Sequence, residues 1–237
     1  MTNFKSLLFN DLKKLYDHRM ILFVGILTFV FSMAMAVFPD LDQSNFIYFN
    51  IFVLPVIIFS TSMFIGREED TLLPLLIGKV KPMVMAFSKI LSAAIIELIP
   101  IICFTIILNY IDFETNYWLL FLTYMLGVIL HIIIALSLAI ISQNSSTLSL
   151  SYLVYVLVFG GSAILYANGL IPLSAQYFML VSPAFLSSVL IDNILVGTTY
   201  SEPWLIVASI VLQLGYGFLL TWFVIRPYFK SYILLQR

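Results

Sequence analysis

The chain is poor in charge, in cysteine and in histidine, and each shortage excludes something. Only 10% of its 237 residues are Asp, Glu, Lys or Arg, against about 25% in an ordinary soluble domain. A water-soluble globular protein is therefore excluded. The single cysteine, Cys103, sits in an apolar run, so it forms no intrachain disulfide and says nothing about redox compartment. With one cysteine and two histidines, His18 and His131, no metal site is expected. No G-x-x-x-x-G-K-[ST] phosphate loop is present, and Gly160-Gly161-Ser162 lies in an apolar run without a lysine. No cofactor is expected on this chain. The first residues lack a short apolar stretch followed by a small-residue cleavage site, so no removed signal peptide is expected. Internal repeats, low-complexity runs and a soluble domain are missing too, leaving residues 1–237 as a single transmembrane domain.

What remains is apolar: 62% of residues are hydrophobic and the mean hydropathy is +1.09. Runs of ~20 apolar residues can each cross a bilayer core of about 30 Å. They fall at Met20–Phe38, Phe46–Ile65, Phe87–Leu108, Tyr117–Ile141, Leu150–Ala167 and Trp204–Ile225. The expectation is an all-α membrane protein with six transmembrane helices.

The basic residues orient it. Lys5, Lys13, Lys14 and Arg19 precede the first span. Arg67, Lys79, Lys81 and Lys89 lie around the second connection, and Arg226, Lys230 and Arg237 follow the sixth span, which accounts for all 11. The opposite connections hold only acids: Asp40, Asp42, Asp112, Glu114, Asp192 and Glu202. The positive-inside rule places both termini and the second connection in the cytoplasm. Tyr117, Trp118 and Trp204 then mark the outer boundary, and Trp222 and Tyr228 the inner one.

Residues 4–17 read as an amphipathic helix lying on the cytoplasmic leaflet. Phe4, Leu7, Leu8, Asp11, Leu12 and Leu15 share one face, which is apolar except for Asp11. Lys5, Lys13 and Lys14 are placed to meet anionic lipid. The outer segment 168–203 is too long for a turn and too apolar for a solvated linker. Within it, Ser182 reads as an N-cap and Pro183 as a first helical residue of a short helix over 182–190. A re-entrant or outer-surface helix pair is expected here.

One connection, the cytoplasmic loop 66–86, is built differently. Gly66-Arg67-Glu68-Glu69-Asp70-Thr71-Leu72-Leu73-Pro74-Leu75-Leu76 is charged first and leucine-rich after. With Thr71 as N-cap, Pro74 stands at the third helical position, where its missing N–H costs nothing. Glu68, Glu69 and Asp70 lie beside the positive end of the helix dipole, and Lys79 and Lys81 beside the negative end. Leu72, Leu75 and Leu76 share a face. A helix of about two turns cannot bury that face alone, since short isolated helices are marginal. It needs a docking surface.

This segment resembles the signature of type-2 permeases of ABC transporters, the bacterial exporters of drugs, lipids, polysaccharides and peptides. The shared pattern is an acidic pair (Glu68, Glu69), then Thr71-Leu72, Leu75-Leu76, and Lys89 at the start of the third span. Asp70 stands where the family usually has glycine, and Lys79-Val80 where it often has Pro-Val, the proline here falling at Pro82. The resemblance implies a coupling helix in which Glu68, Glu69, Thr71, Leu72, Leu75 and Leu76 dock onto a separate ATP-binding cassette ATPase that holds the ATP-Mg. It also implies a second permease subunit, identical or homologous, around one pathway in the bacterial cytoplasmic membrane. No nucleic-acid partner is expected. An apolar pathway suits an amphipathic or hydrophobic cargo such as a drug, lipid or peptide.

Polar residues inside the spans are the remaining candidates. Counted from Phe87, Glu97 lies ~15 Å into span 3, and counted from Ile141, His131 lies ~15 Å into span 4. They are expected to pair, or to act at a pathway. Pro100 removes the hydrogen bond to Ile96 and is expected to kink span 3 beside Glu97. Gln213, beside Gly215 and Gly217, suits close helix contact. By analogy with the family, Ser60 in span 2 and Tyr155 in span 5 are pathway candidates. Two other readings stand beside transport: an intramembrane hydrolase using Glu97 and His131 for acid–base work, and a membrane scaffold for a cytoplasmic partner.

Overall fold

The computed structural model describes residues 4–38, 42–63, 80–197 and 203–234. Every regular element among the described residues is helical. Helix α1 is Phe4–Asp17 and α2 is Met20–Val37. Helix α3, Gln43–Leu54, runs on through a π-turn at Pro55–Phe59. Helices α4 (Pro82–Ile96) and α5 (Leu98–Tyr110) form one interrupted rod. They are followed by α6, Tyr117–Ile141. Next come α7 (Ser145–Tyr155), a π-turn at Val156–Gly160, and α8 (Gly161–Ala167). Then follow α9 (Gln176–Met179) and α10 (Pro183–Leu195). Helix α11 (Pro203–Leu220) continues through a π-turn at Thr221–Ile225 into α12 (Arg226–Leu234).

Six of these rods are long and apolar enough to cross a membrane: Met20–Val37, Gln43–Met63, Pro82–Tyr110, Tyr117–Ile141, Ser145–Tyr166 and Pro203–Ser231. By length and composition the chain is a multi-pass membrane protein. Spans 3 and 5 each start five residues before the apolar run read from sequence. Pro82 explains the first. It occupies the first turn after an extended Lys81, where its fixed φ suits a helix start. The loop expected over 66–86 therefore gives way to helix at Pro82. Asn144 explains the second: its side chain accepts from Thr147 N while the Thr147 hydroxyl accepts from Asn144 N, a capping box. Asp42 and Asn116 cap spans 2 and 4 in the same way, through Ser44 N and Leu119 N.

Spans 2 and 4 form the core, with 72% and 61% of their apolar windows buried, whereas spans 1, 5 and 6 are at 22% and form the rim. Their packing is tight where the sequence supplies glycine. At Gly160 an added Cβ would meet the Phe52 ring at 2.1 Å. The same residue closes the π-turn of span 5, and its carbonyl accepts from the Tyr48 hydroxyl at 3.2 Å.

Helix α10 is the most enclosed short element. It packs against α3, α6 and α11, and Ala184, Phe185, Leu186, Val189 and Ile191 are fully buried. Ser182 caps it, accepting from Phe185 N and donating to Phe159 O in mid-span 5. At its other end Ile194 O accepts from Thr115, beside the start of span 4. An added Cβ on Gly127 would stand 3.1 Å from Ser187 Oγ. Gly127 lies ten residues, or ~15 Å, beyond Tyr117. Helix α10 thus fills space inside the bundle instead of lying across its end.

The amphipathic face read for α1 is buried in its middle, with Leu8 and Leu12 half-buried and Phe4 exposed. Leu7, Asp11 and Leu15 are its buried stripe, and the helix packs along α4.

Candidate functional site

The coupling residues Glu68, Glu69, Thr71, Leu72, Leu75 and Leu76 lie outside the described residues. Their roots do not. Met63 ends the described part of span 2 at 1% exposure, and Val80 packs on the core just before α4.

Just beyond that root, the one acid on the apolar face of α1 finds its partners. Asp11 Oδ1 lies 3.2 Å from Lys89 Nζ, and Asp11 Oδ2 accepts from Ser88 at 2.5 Å. All three side chains are buried. A carboxylate taken from water needs such charge-assisted bonds. Sequence reading singled out both Asp11 and Lys89, for unrelated reasons, and did not join them. An acid interrupting an apolar stripe was the available signal.

Farther along the same rod, Glu97 interrupts span 3. Helix α4 ends at Ile96 and α5 begins at Leu98. Pro100 deprives the Ile96 carbonyl of its helical donor, so the break falls where the proline requires it. Glu97 is 3% exposed. Its Oε2 stands 3.3 Å from the Tyr124 hydroxyl of span 4, and that hydroxyl stands 2.6 Å from Asn50 Oδ1 of span 2. One buried chain, Asn50–Tyr124–Glu97, thus ties the two core spans to span 3.

The expected Glu97–His131 pair is not formed. His131 Nδ1 bonds Gly127 O of its own helix at 2.7 Å, and its ring packs on Tyr155 and Phe52. The reason is depth. Span 3 starts at Pro82, not Phe87, which puts Glu97 ~22 Å along its rod, while His131 is ~15 Å from Ile141. Tyr124, two turns beyond His131, is the residue at Glu97's level. Neither Asn50 nor Tyr124 was anticipated. An amide inside the apolar run of span 2 and a tyrosine well inside span 4 were the signals.

The other intramembrane candidates divide. Ser60 is fully buried and its hydroxyl turns back to Val56 O and Ile57 O of its own helix, the usual recourse of serine in a helix. Tyr155, His131 and Gln213 are different. The Tyr155 hydroxyl, His131 Nε2 and both polar atoms of Gln213 are buried without a hydrogen-bond partner among the described residues. The rings of Tyr155 and His131 are 6.0 Å apart. Gly217, one turn beyond Gln213, packs on Ile133 of span 4, so Gln213 lies within about a turn of the His131 level. Buried polar groups are ordinarily satisfied, so this level of the bundle holds spare hydrogen-bonding capacity. No cluster of three metal-ligating side chains occurs among the described residues.

In comparison with known proteins, no family model, no curated protein and no solved structure matches the chain.

Proposed function

We propose that this chain is the membrane-spanning subunit of an ATP-driven exporter, coupled through residues 66–76 to a separate ATPase and paired with a second permease subunit. The observation that carries this reading is the acidic-then-leucine segment itself, a short face with no room to be buried within its own loop. Its surroundings support the reading. The rod that leaves the loop is pinned to α1 by the Asp11–Lys89 pair and is flanked by α12. A push on the loop would therefore reach span 3, α1 and the end of span 6 together. In the same reading α10 is the re-entrant helix, both termini are cytoplasmic, and the rim helices meet lipid or the second subunit. Span 5 begins with exposed Ser145, Ser146 and Ser149, which suits a wet or protein-facing surface better than lipid. The hydrolase reading needs Glu97 and His131 on one water. Their separate partners favour transport over it.

The test is co-purification. The chain should bring down a nucleotide-binding subunit, and Glu68→Lys with Glu69→Lys should abolish both the association and solute-dependent ATP hydrolysis. Unchanged association and transport in that variant would overturn the assignment.

A further inference from the structure

The Tyr124 hydroxyl has two oxygen neighbours and one proton to give. At 2.6 Å, Asn50 Oδ1 is at the distance of a strong O–H···O bond, so the proton is spent there. The second contact, 3.3 Å to Glu97 Oε2, then needs a proton from the carboxyl. Without one, two oxygen lone pairs face each other, and a bare charge sits deep in the span, which an apolar bilayer core disfavours. The protonated chain runs Glu97 O–H to Tyr124, then Tyr124 O–H to Asn50. In the ionised chain both bonds reverse: an Asn50 N–H donates to Tyr124, and Tyr124 donates to Glu97. Asn50 supplies what the reversal needs, because its Nδ2 is buried with no hydrogen-bond partner among the described residues. Turning the amide over exchanges the two roles.

A route for the proton lies alongside. Two small cavities follow one seam between α1, span 2 and span 3. The first, at the α1 end, is lined by Asp11, Lys14, His18, Ser62, Lys89 and Ser92. The second is lined by Pro55, Ile58, Ala93, Ile96 and Glu97. Leu15 and Phe59 border both. Their volumes are about 20 Å³ and 10 Å³; the first is polar and on the scale of a single water, whereas the second is apolar except for Glu97. No exported molecule fits; the polar cavity can hold one water, and a proton from it must pass Leu15 and Phe59 to reach Glu97.

We propose that Glu97 is a proton-binding site, with Tyr124 and Asn50 as a reversible relay, loaded from the α1 end of the bundle through this seam. The titratable groups around it are accounted for. Tyr124 faces it from span 4, and span 2 contributes only the neutral Asn50. Cys103 lies ~9 Å farther along α5. Asp11, Lys14, His18 and Lys89 stand at the mouth of the seam, ~12 Å back along α4. Protonation at Glu97 thereby sets the direction of the bonds that join spans 2, 3 and 4. The inference concerns the bundle itself and does not depend on an ATPase partner.

Infrared spectroscopy of the full-length protein in lipid tests it. At neutral pH the expected result is a protonated-carboxyl C=O band that is absent in Glu97→Gln and moved in frequency in Tyr124→Phe, which keeps the acid. In D₂O that band should shift as the proton exchanges. Ala93→Leu, which narrows the seam, should slow the exchange about tenfold, equivalent to ~1.4 kcal/mol of barrier, and leave the band itself in place. Absence of a Glu97-dependent band at neutral pH would overturn the proton site. A band indifferent to Tyr124→Phe would overturn the relay, and exchange unaffected by Ala93→Leu would overturn the route.

Discussion

Lys89 reaches Asp11 across 78 residues of sequence, with both side chains buried, and so fastens the amphipathic helix α1 to the start of span 3. Removing one partner leaves the other charge buried and alone, at ~3–5 kcal/mol. Asp11→Ala should therefore lower the thermal midpoint in detergent clearly, whereas the paired change Asp11→Leu with Lys89→Leu should recover most of it. Thermal unfolding followed by tryptophan fluorescence or by loss of the monodisperse gel-filtration peak distinguishes these outcomes.

Tyr124 is the middle of a three-residue chain, so its loss strands two groups. Tyr124→Phe keeps the ring volume and leaves Asn50 Oδ1 and Glu97 without their shared partner. A cost of about 1–3 kcal/mol per stranded group is expected. Asn50→Leu alone should cost less, since it removes a group that is only half satisfied. Denaturation of the two variants side by side tests the order.

Among the described glycines, Gly160 has the least room for a side chain. Gly160→Ala drives a methyl into the Phe52 ring and should destabilise by ~1–3 kcal/mol. Phe52→Leu, which removes the ring, should relieve much of that cost in the double variant. A double-mutant cycle with favourable coupling is the expected result, and simple additivity would place the strain elsewhere.

Gln213 is buried, and neither amide atom has a hydrogen-bond partner among the described residues. Gln213→Leu should stabilise the protein by about 1–3 kcal/mol, because two unsatisfied groups disappear. Under the transport reading it should also reduce export. A rise in thermal midpoint with a fall in transport is the split expected of a residue kept for function at some expense of stability.

The spans were legible from composition because a bilayer leaves few alternatives to apolar helices. The buried stripe of α1 was legible from its spacing, and the cap at Ser182 from local chemistry. What failed was depth. Counting from Phe87 set Glu97 against His131, and only the earlier helix start at Pro82 moves it to Tyr124. The burial of α10 was legible only as one of two options, re-entrant or outer-surface. Ser182, Ser187, Ser188 and Asp192 give it the composition of a surface helix, yet three of its serine hydroxyls bond backbone carbonyls, which frees the helix to enter the bundle. Such local compensation depends on neighbours that a one-dimensional pattern does not name.

The π-turn at Pro55–Phe59 lets span 2 serve two masters. One extra residue in a helix turns everything beyond it by ~100° about the axis. Before the turn, Tyr48 and Phe52 pack with Tyr166 and Phe185 of span 5 and α10. After it, Phe59 and Ser62 look toward α1 and span 3. Span 2 is ringed by neighbours even before the turn, with Ile51 in the main core, Tyr48 and Phe52 against α10 and span 5, and Leu54 against Leu15 and Ile96. The turn resets which face of span 2 meets each neighbour, so the half that grips span 5 and the half that leads into the 64–79 connection sit at different rotations about one axis.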